Sequence, residues 1–119
     1  MKIEEMKVFK TAHELVLHTY KITDNFPSAE KYILINQMRR AAMSIPTNLV
    51  EGDSRYSQNE YLYFIKIAIG SCAELKYQYL PARYLGYIGE EKKENSINMC
   101  EKSMALLINT KKAVEERYG

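Results

Sequence analysis

The sequence predicts an all-α protein, an antiparallel up-and-down four-helix bundle formed by a single domain over residues 1–119. Three observations support this fold class. In four separate segments, apolar residues recur at alternating steps of three and four, the spacing that places them on one face of a helix. The connections between these segments are short, and no segment shows the alternating pattern of a β-strand.

The first two helices follow from their apolar stripes. The first stripe consists of Val8, Ala12, Leu15, Thr19, Ile22 and Phe26, and Pro27 ends that helix. The second stripe consists of Leu34, Met38, Ala41, Ile45 and either Asn48 or Leu49. We expect Ser28 to be the N-cap of the second helix and Gly52 to mark its end. Pro46 lies within this helix and predicts a kink, because proline removes one backbone hydrogen bond.

The third and fourth helices are the longest. Ser57 is the expected N-cap of the third helix, because Glu60 three residues later completes a capping box. This helix buries Tyr61, Ile65, Ala68, Cys72, Leu75, Tyr79 and Ala82, and it ends near Gly86. The fourth helix runs from about Glu90 to Tyr118 and carries the stripe Ile97, Cys100, Met104, Leu107 and Val114.

Charge and composition give a class of protein but no activity. The chain has 17 basic and 15 acidic residues, a formal net charge of +2 and an isoelectric point near 8.4. This balance is well short of the strongly basic composition of a dedicated nucleic-acid binder. The apolar share of 46% excludes a disordered chain.

Cysteine usage and the absence of export signals indicate a cytoplasmic protein. Cys72 and Cys100 are 28 residues apart and form no CxxC pair, so we expect two free buried thiols. The N-terminal segment is acidic where a signal peptide would be basic. The most apolar stretch, residues 61–73, is shorter than the roughly 20 residues needed to span a bilayer, which predicts no membrane association.

The sequence shows no pattern typical of an enzyme. His13 and His18 are five residues apart, which is not the spacing of a metal-binding pair on a helix. Glu51, Asp53 and Glu60 lie near one turn, but capping and solvation explain each of them. Common nucleotide, hydrolase and zinc-protease motifs are absent. We therefore expect no catalytic residue, no metal and no cofactor.

The third helix carries a second apolar stripe on its opposite side. We call it the tyrosine seam; it consists of Tyr63, Lys66, Gly70, Ala73, Tyr77, Leu80 and Tyr84. A helix in a four-helix bundle needs only one apolar stripe, so the seam requires another surface to cover it. We expect a second copy of the chain to pack there, with Tyr63, Gly70, Ala73, Tyr77 and Tyr84 in the interface. The alternative is that this is the central helix of a small core.

Basic residues are concentrated around the second helix. No acidic residue occurs between Glu30 and Glu51, whereas Lys31, Arg39 and Arg40 lie in this interval and Arg55 follows it. An arginine pair with Ser44, Thr47 and Asn48 nearby predicts contacts with nucleic-acid phosphates, which give affinity without sequence specificity. The alternative is that the arginines form ion pairs with acidic residues of neighbouring helices or subunits.

The segment QMRRAAMSIPTNLVEGDSRYS, residues 37–57, resembles the hallmark of small proteins encoded in the intervening sequences of bacterial 23S ribosomal RNA genes. IAIGSCAEL, residues 67–75, and LGYI, residues 85–88, also resemble the family pattern. The matching motif positions include Ser44, Pro46, Asn48, Glu51 and Gly52, together with Arg39, Arg40 and Arg55. Val50, Ile33 and Pro81 depart from the pattern, and Pro81 argues against a straight third helix.

This resemblance implies an up-and-down helical bundle that forms homopentamers. It also implies an association with RNA, and the similar fold of a retroelement accessory protein implies a reverse transcriptase as another possible partner. We therefore expect a non-enzymatic homo-oligomer that binds RNA or DNA. The alternative is a protein-interaction scaffold, such as an accessory subunit of a reverse transcriptase. Within the motif, Asn48 and Glu51 are one helical turn apart and are candidates for a structural tie to Arg55.

Overall fold

Four α-helices account for most of the chain. In the computed structural model, which describes residues 2–118, α1 spans Lys7–Thr23, α2 spans Leu34–Asp53, α3 spans Gln58–Tyr84 and α4 spans Glu90–Tyr118. Short 3₁₀ turns occur at Ile3–Glu5 and Ser28–Glu30, and residues 2–118 contain no strand. Each helix packs against the next in the chain, and α1 also packs against α4. The predicted four-helix bundle is therefore confirmed, with dimensions of 47 × 25 × 21 Å.

The start of α2 differs from the sequence prediction. Ser28 does not cap this helix: it begins a 3₁₀ turn, and α2 starts at Leu34. Tertiary contacts hold the intervening segment. The Phe26 ring packs against Tyr87 at 5.3 Å, and the Tyr87 hydroxyl donates a 2.5 Å hydrogen bond to the Glu30 carboxylate. The backbone of Ile33, with φ −119° and ψ −96°, then leaves the helical conformation just before α2.

Ser57 is the N-cap of α3, as predicted, and a glycine follows the other end of this helix. Ser57 Oγ accepts a hydrogen bond from the Glu60 backbone N–H at 3.4 Å. At the other end Gly86 adopts φ +81°, the left-handed conformation that glycine allows after a helix. Both internal prolines, Pro46 in α2 and Pro81 in α3, lie within helices that continue through them.

The core contains most of the predicted stripe residues together with a few polar groups, of which Thr19, Thr23 and Ser96 are hydrogen-bonded. The α3 stripe from Ile65 to Ala82 is buried, and Tyr61 is half-buried at its start. Tyr79 is fully buried in the centre, and its hydroxyl forms a 2.7 Å hydrogen bond with Thr19 Oγ1 of α1. Burial raises the pKa of Tyr79 far above its ordinary value, so the phenol stays protonated.

The two cysteines are free and buried, as predicted. Cys72 Sγ donates to the Cys100 carbonyl at 3.2 Å and so connects α3 to α4. Burial raises the pKa of Cys72 to about 11 and that of Cys100 to about 12. Because the thiolate is the reactive form, neither group is an activated nucleophile. None of the helices described is long and apolar enough to cross a membrane.

His18 joins α1 to α4 in a defined tautomer. Ser96 Oγ donates its proton to the Lys92 carbonyl at 2.7 Å, so it accepts from His18 Nε2 at 2.8 Å. Partial burial and the positive charge of Lys21 lower the pKa of His18 below its ordinary value. The neutral imidazole is therefore the form that the folded protein favours.

We predict that protonation of His18 destabilises the fold. Since its pKa is lowered on folding, the unfolded chain binds the proton first as the pH falls. The free energy of unfolding should decrease as the pH drops below about 6.5 and level off below the folded pKa. Urea unfolding followed by circular dichroism between pH 7.5 and 5.5 measures this decrease. His18→Gln should remove it, whereas His13→Gln, at an exposed position of the same helix, should retain it. An unchanged pH dependence in His18→Gln would contradict this assignment.

Candidate nucleic-acid interface

A polar groove lies on the outer side of α2, next to the end of α1. We call it the arginine groove; it has a volume of about 600 Å³ and is lined by Tyr20, Asn36, Arg39, Arg40, Met43, Ser44, Thr47 and Asn48. All of these except Tyr20 belong to α2, where their spacing of three and four residues places them on one face. No carboxylate is among the lining residues. The groove therefore combines two guanidinium groups with neutral polar side chains.

Arg39 is held in place by the last turn of α1. Its Nε donates to Thr23 Oγ1 at 2.9 Å, and Nη2 donates to the Tyr20 carbonyl at 3.3 Å. The guanidinium also lies over the Tyr20 ring, 4.5 Å from the centroid, and Nη2 is 3.9 Å from Asp24 Oδ1. A cation at the carbonyl end of a helix is favourable. Arg39 thus fastens α2 to α1, and 29% of its side chain remains exposed.

The next residue, Arg40, is exposed and, unlike Arg39, is not held by described hydrogen bonds. It forms no hydrogen bond or ion pair with any residue in the range 2–118. The Arg39 guanidinium is therefore held within the chain, whereas the Arg40 guanidinium is available to a ligand. The sequence left two interpretations of these arginines, ion pairing and phosphate binding. Arg39 fits the first, because it has an acidic neighbour within the chain. Arg40 fits the second, because it has no such neighbour in the described chain.

A chain of hydrogen bonds crosses the floor of the groove from α2 to α3. Asn48 Nδ2 donates to the Ser44 carbonyl at 2.7 Å and to Ser44 Oγ at 2.9 Å. Ser44 Oγ in turn lies 2.8 Å from Ser71 Oγ of α3. Asn48 therefore makes its contacts within α2 and through Ser44, and not with Arg55 as the sequence suggested.

The structure does not bring the other two basic residues into the groove. Arg55 lies in the turn between α2 and α3, where it pairs with Glu51 and, at 4.0 Å, with Glu60. Its guanidinium lies 5.3 Å from the centre of the Phe64 ring. Glu51 is thus tied to Arg55, as predicted. Lys31 is exposed before α2, with its ammonium 5.6 Å from the Tyr32 ring.

Sequence reasoning missed Tyr20, Asn36 and Met43 as groove residues. Asn36 and Met43 had a usable signal, since they are spaced four and three residues from Arg40 on the same helix face. Tyr20 had none, because it lies on α1 and reaches the groove only through packing of the two helices.

The tyrosine seam is exposed to solvent in this chain. The exposed fractions of Tyr63, Tyr77 and Tyr84 are 61%, 65% and 85%, and Gly70 and Ala73 are exposed between them. A Cβ atom added at Gly70 would meet no atom within 4 Å. The residues that the structure describes therefore do not cover this face of α3.

Beside the seam, α3 and α4 form an apolar groove of about 580 Å³. Ala73, Tyr77 and Leu80 of the seam form one wall, and Ile97, Met104 and Ile108 of α4 contribute to the other. Among the described residues, no group of three or more His, Cys, Asp or Glu side chains is arranged to hold a metal ion.

The model of the 23S rRNA-intervening sequence protein family matches residues 4–109 of this sequence. The chain belongs to the 23S rRNA-intervening sequence protein family. One similar solved structure is a protein of unknown function from the S23 ribosomal protein family of Bacteroides thetaiotaomicron. The two share 23% identity and superpose with a TM-score of 0.78 over 88% of this chain and 98% of the other, which shows a common fold. None of the curated proteins compared matches this sequence.

In this member of the 23S rRNA-intervening sequence protein family, the motif residues form the α2–α3 contact. Gly52 is buried and lies close to α3: a Cβ there would lie 3.0 Å from Phe64 Cβ and 3.1 Å from Tyr61 Cδ1. Pro46 is buried within α2. Ser44 and Asn48 hold the polar side of the same contact. The motif thus has a structural use that does not depend on a ligand.

We predict that the adjacent arginines differ in their effect on stability. Arg39→Ala should lower the free energy of unfolding by about 1 kcal/mol, because it removes partly buried hydrogen bonds from a charged donor. Arg40→Ala should change it by less than about 0.5 kcal/mol, because an exposed side chain without partners is lost. Urea unfolding of both variants measures the difference. Equal losses in the two variants would contradict the assigned roles.

Proposed function

We propose that this chain is a non-enzymatic homo-oligomer, a pentamer, that binds RNA through its phosphates. The observation that carries the proposal is the arginine groove, where Arg39 and Arg40 meet neutral polar groups and no carboxylate lines the surface. Guanidinium groups form charge-assisted hydrogen bonds with phosphate oxygens. Arg39 is already ordered by Thr23 and Tyr20, so it loses little conformational freedom on binding.

Self-association would strengthen RNA binding because it brings the positive charges of several chains together. One chain carries a formal net charge of only +2, whereas five identical copies carry about +10 in one particle. A repeated groove then presents several cationic sites to one RNA molecule, which strengthens binding through multivalency.

The exposed tyrosine seam supports association between copies. Tyrosines are favoured in interfaces, and the open space at Gly70 would let a neighbouring helix approach α3 closely. The apolar groove beside the seam extends the same surface onto α4. A second copy as the occupant agrees with the homopentamer that the family resemblance implies.

RNA binding is tested with two variants that each remove one positive charge. Arg40→Gln should weaken binding of a fluorescein-labelled RNA hairpin at least about tenfold and should make the dependence of log K on log salt shallower by about one for each groove that contacts the RNA. Lys112→Gln, an equal change of charge on an exposed part of α4, should have little effect. Fluorescence anisotropy between 50 and 200 mM KCl measures both quantities. If the wild type does not bind RNA at 50 mM KCl, or if both variants weaken it equally, the proposal is wrong.

The oligomer is tested by sedimentation velocity. The wild type should sediment as a particle of about 70 kDa at micromolar concentration, since five chains of 13.9 kDa associate. Tyr77→Glu should dissociate it, because a carboxylate would be buried in the interface. Tyr32→Glu changes another exposed tyrosine outside the seam and should leave the particle intact. A monomeric wild type would refute this part of the proposal.

A second candidate function is a scaffold that binds another protein, such as a reverse transcriptase. The apolar groove between α3 and α4 favours it, since protein partners cover surfaces of this kind. Such binding would depend on Tyr77 and would change little with salt, whereas RNA binding would depend on Arg40 and weaken steeply as salt rises.

A further inference from the structure

Asn48 lines the arginine groove, and its side-chain oxygen has no described hydrogen-bond donor. Its orientation follows from its partners: the Ser44 carbonyl only accepts, so the side-chain atom 2.7 Å away is the amide nitrogen. The same nitrogen also donates to Ser44 Oγ. Among residues 2–118, Asn48 Oδ1 has no hydrogen-bond donor.

This acceptor does not suit a phosphate. A phosphodiester accepts hydrogen bonds and has no hydrogen to donate, so it matches the arginines and not Asn48 Oδ1. The backbone of RNA has a donor next to each phosphate, the 2′-hydroxyl of the ribose, and DNA lacks it. The groove thus contains groups complementary to both parts of a ribose-phosphate backbone.

The spacing and shape of the groove favour backbone recognition over base recognition. Arg40 and Asn48 are eight residues apart, which is about 12 Å along α2 and within reach of one short stretch of a strand. Tyr20 is the one aromatic residue that lines the groove, and its ring is already stacked against the Arg39 guanidinium. The described groove therefore has no free aromatic platform of the kind on which bases stack.

We propose that Asn48 Oδ1 accepts a hydrogen bond from a ribose 2′-hydroxyl and that the arginine groove thereby selects RNA over DNA. This inference rests on the proposed function, because the arginines supply the affinity on which the selection acts. The selection is independent of base sequence.

Three labelled single strands of one 12-nucleotide sequence test the proposal: RNA, DNA and 2′-fluoro RNA. The fluoro strand keeps an RNA-like sugar conformation but has no 2′ donor, so it separates the hydroxyl from strand shape. For the wild type, RNA should bind about fivefold more tightly than either other strand, the effect of one neutral hydrogen bond. Equal affinity for RNA and 2′-fluoro RNA would overturn the inference.

A variant at Asn48 tests whether its side-chain oxygen is the atom that distinguishes RNA from the other two strands. Asn48→Ala should reduce the RNA to 2′-fluoro RNA affinity ratio to about one, because it removes the acceptor oxygen. Asn98→Ala, which removes an exposed amide from α4 outside the groove, should leave the ratio unchanged. Circular dichroism shows whether each variant is folded, and a merely structural role for Asn48 would alter all three affinities together and leave the ratio intact.

The outcomes separate the two proposals. If all strands bind equally, weaken with salt and depend on Arg40, the phosphate site stands and the role of Asn48 is wrong. If no strand binds at 50 mM KCl, both proposals are wrong.

Discussion

The close approach of α2 to α3 is the constraint on which both surfaces of this protein depend. At Gly52 a Cβ atom would contact α3 at only 3.0–3.1 Å, and Ala41 and Ala68 are buried along the same pair of helices. Ser44 and Ser71 are joined by a hydrogen bond across it. Because α2 turns its small residues towards α3, its larger polar residues face outward and form the arginine groove. The same contact and the packing of α3 on α4 leave the tyrosine seam uncovered.

The helices and their buried faces could be predicted from the sequence because they depend on the spacing of nearby residues and on capping residues. Periodicity predicted the stripe of α3 residue by residue, and the capping residue Ser57 and the glycine after α3 marked its ends. The start of α2 was not readable in this way. The contacts of Glu30 and Phe26 with Tyr87 join segments nearly 60 residues apart, and these contacts override the helix-start signal at Ser28.

Part of the candidate site could also be predicted, because its residues on α2 follow helical spacing. Arg39 and Arg40 were identified from a stretch without acidic residues, and the polar residues one and two turns further on share their face. The different states of the two arginines could not be predicted. Arg39 is ordered by Thr23, Tyr20 and Asp24, all at the end of α1, and the relative rotation of α1 and α2 is a property of the packed bundle.

The buried thiols have a practical consequence for measuring motion in this protein. Cys72 and Cys100 are fully covered, lie where α3 meets α4 and have strongly raised pKa values, so an alkylating reagent reacts with them only after these helices separate. The alkylation rate of the unmodified chain therefore reports the free energy of that opening. The native sequence thus contains its own probe for local unfolding along the wall of the apolar groove, without an introduced label.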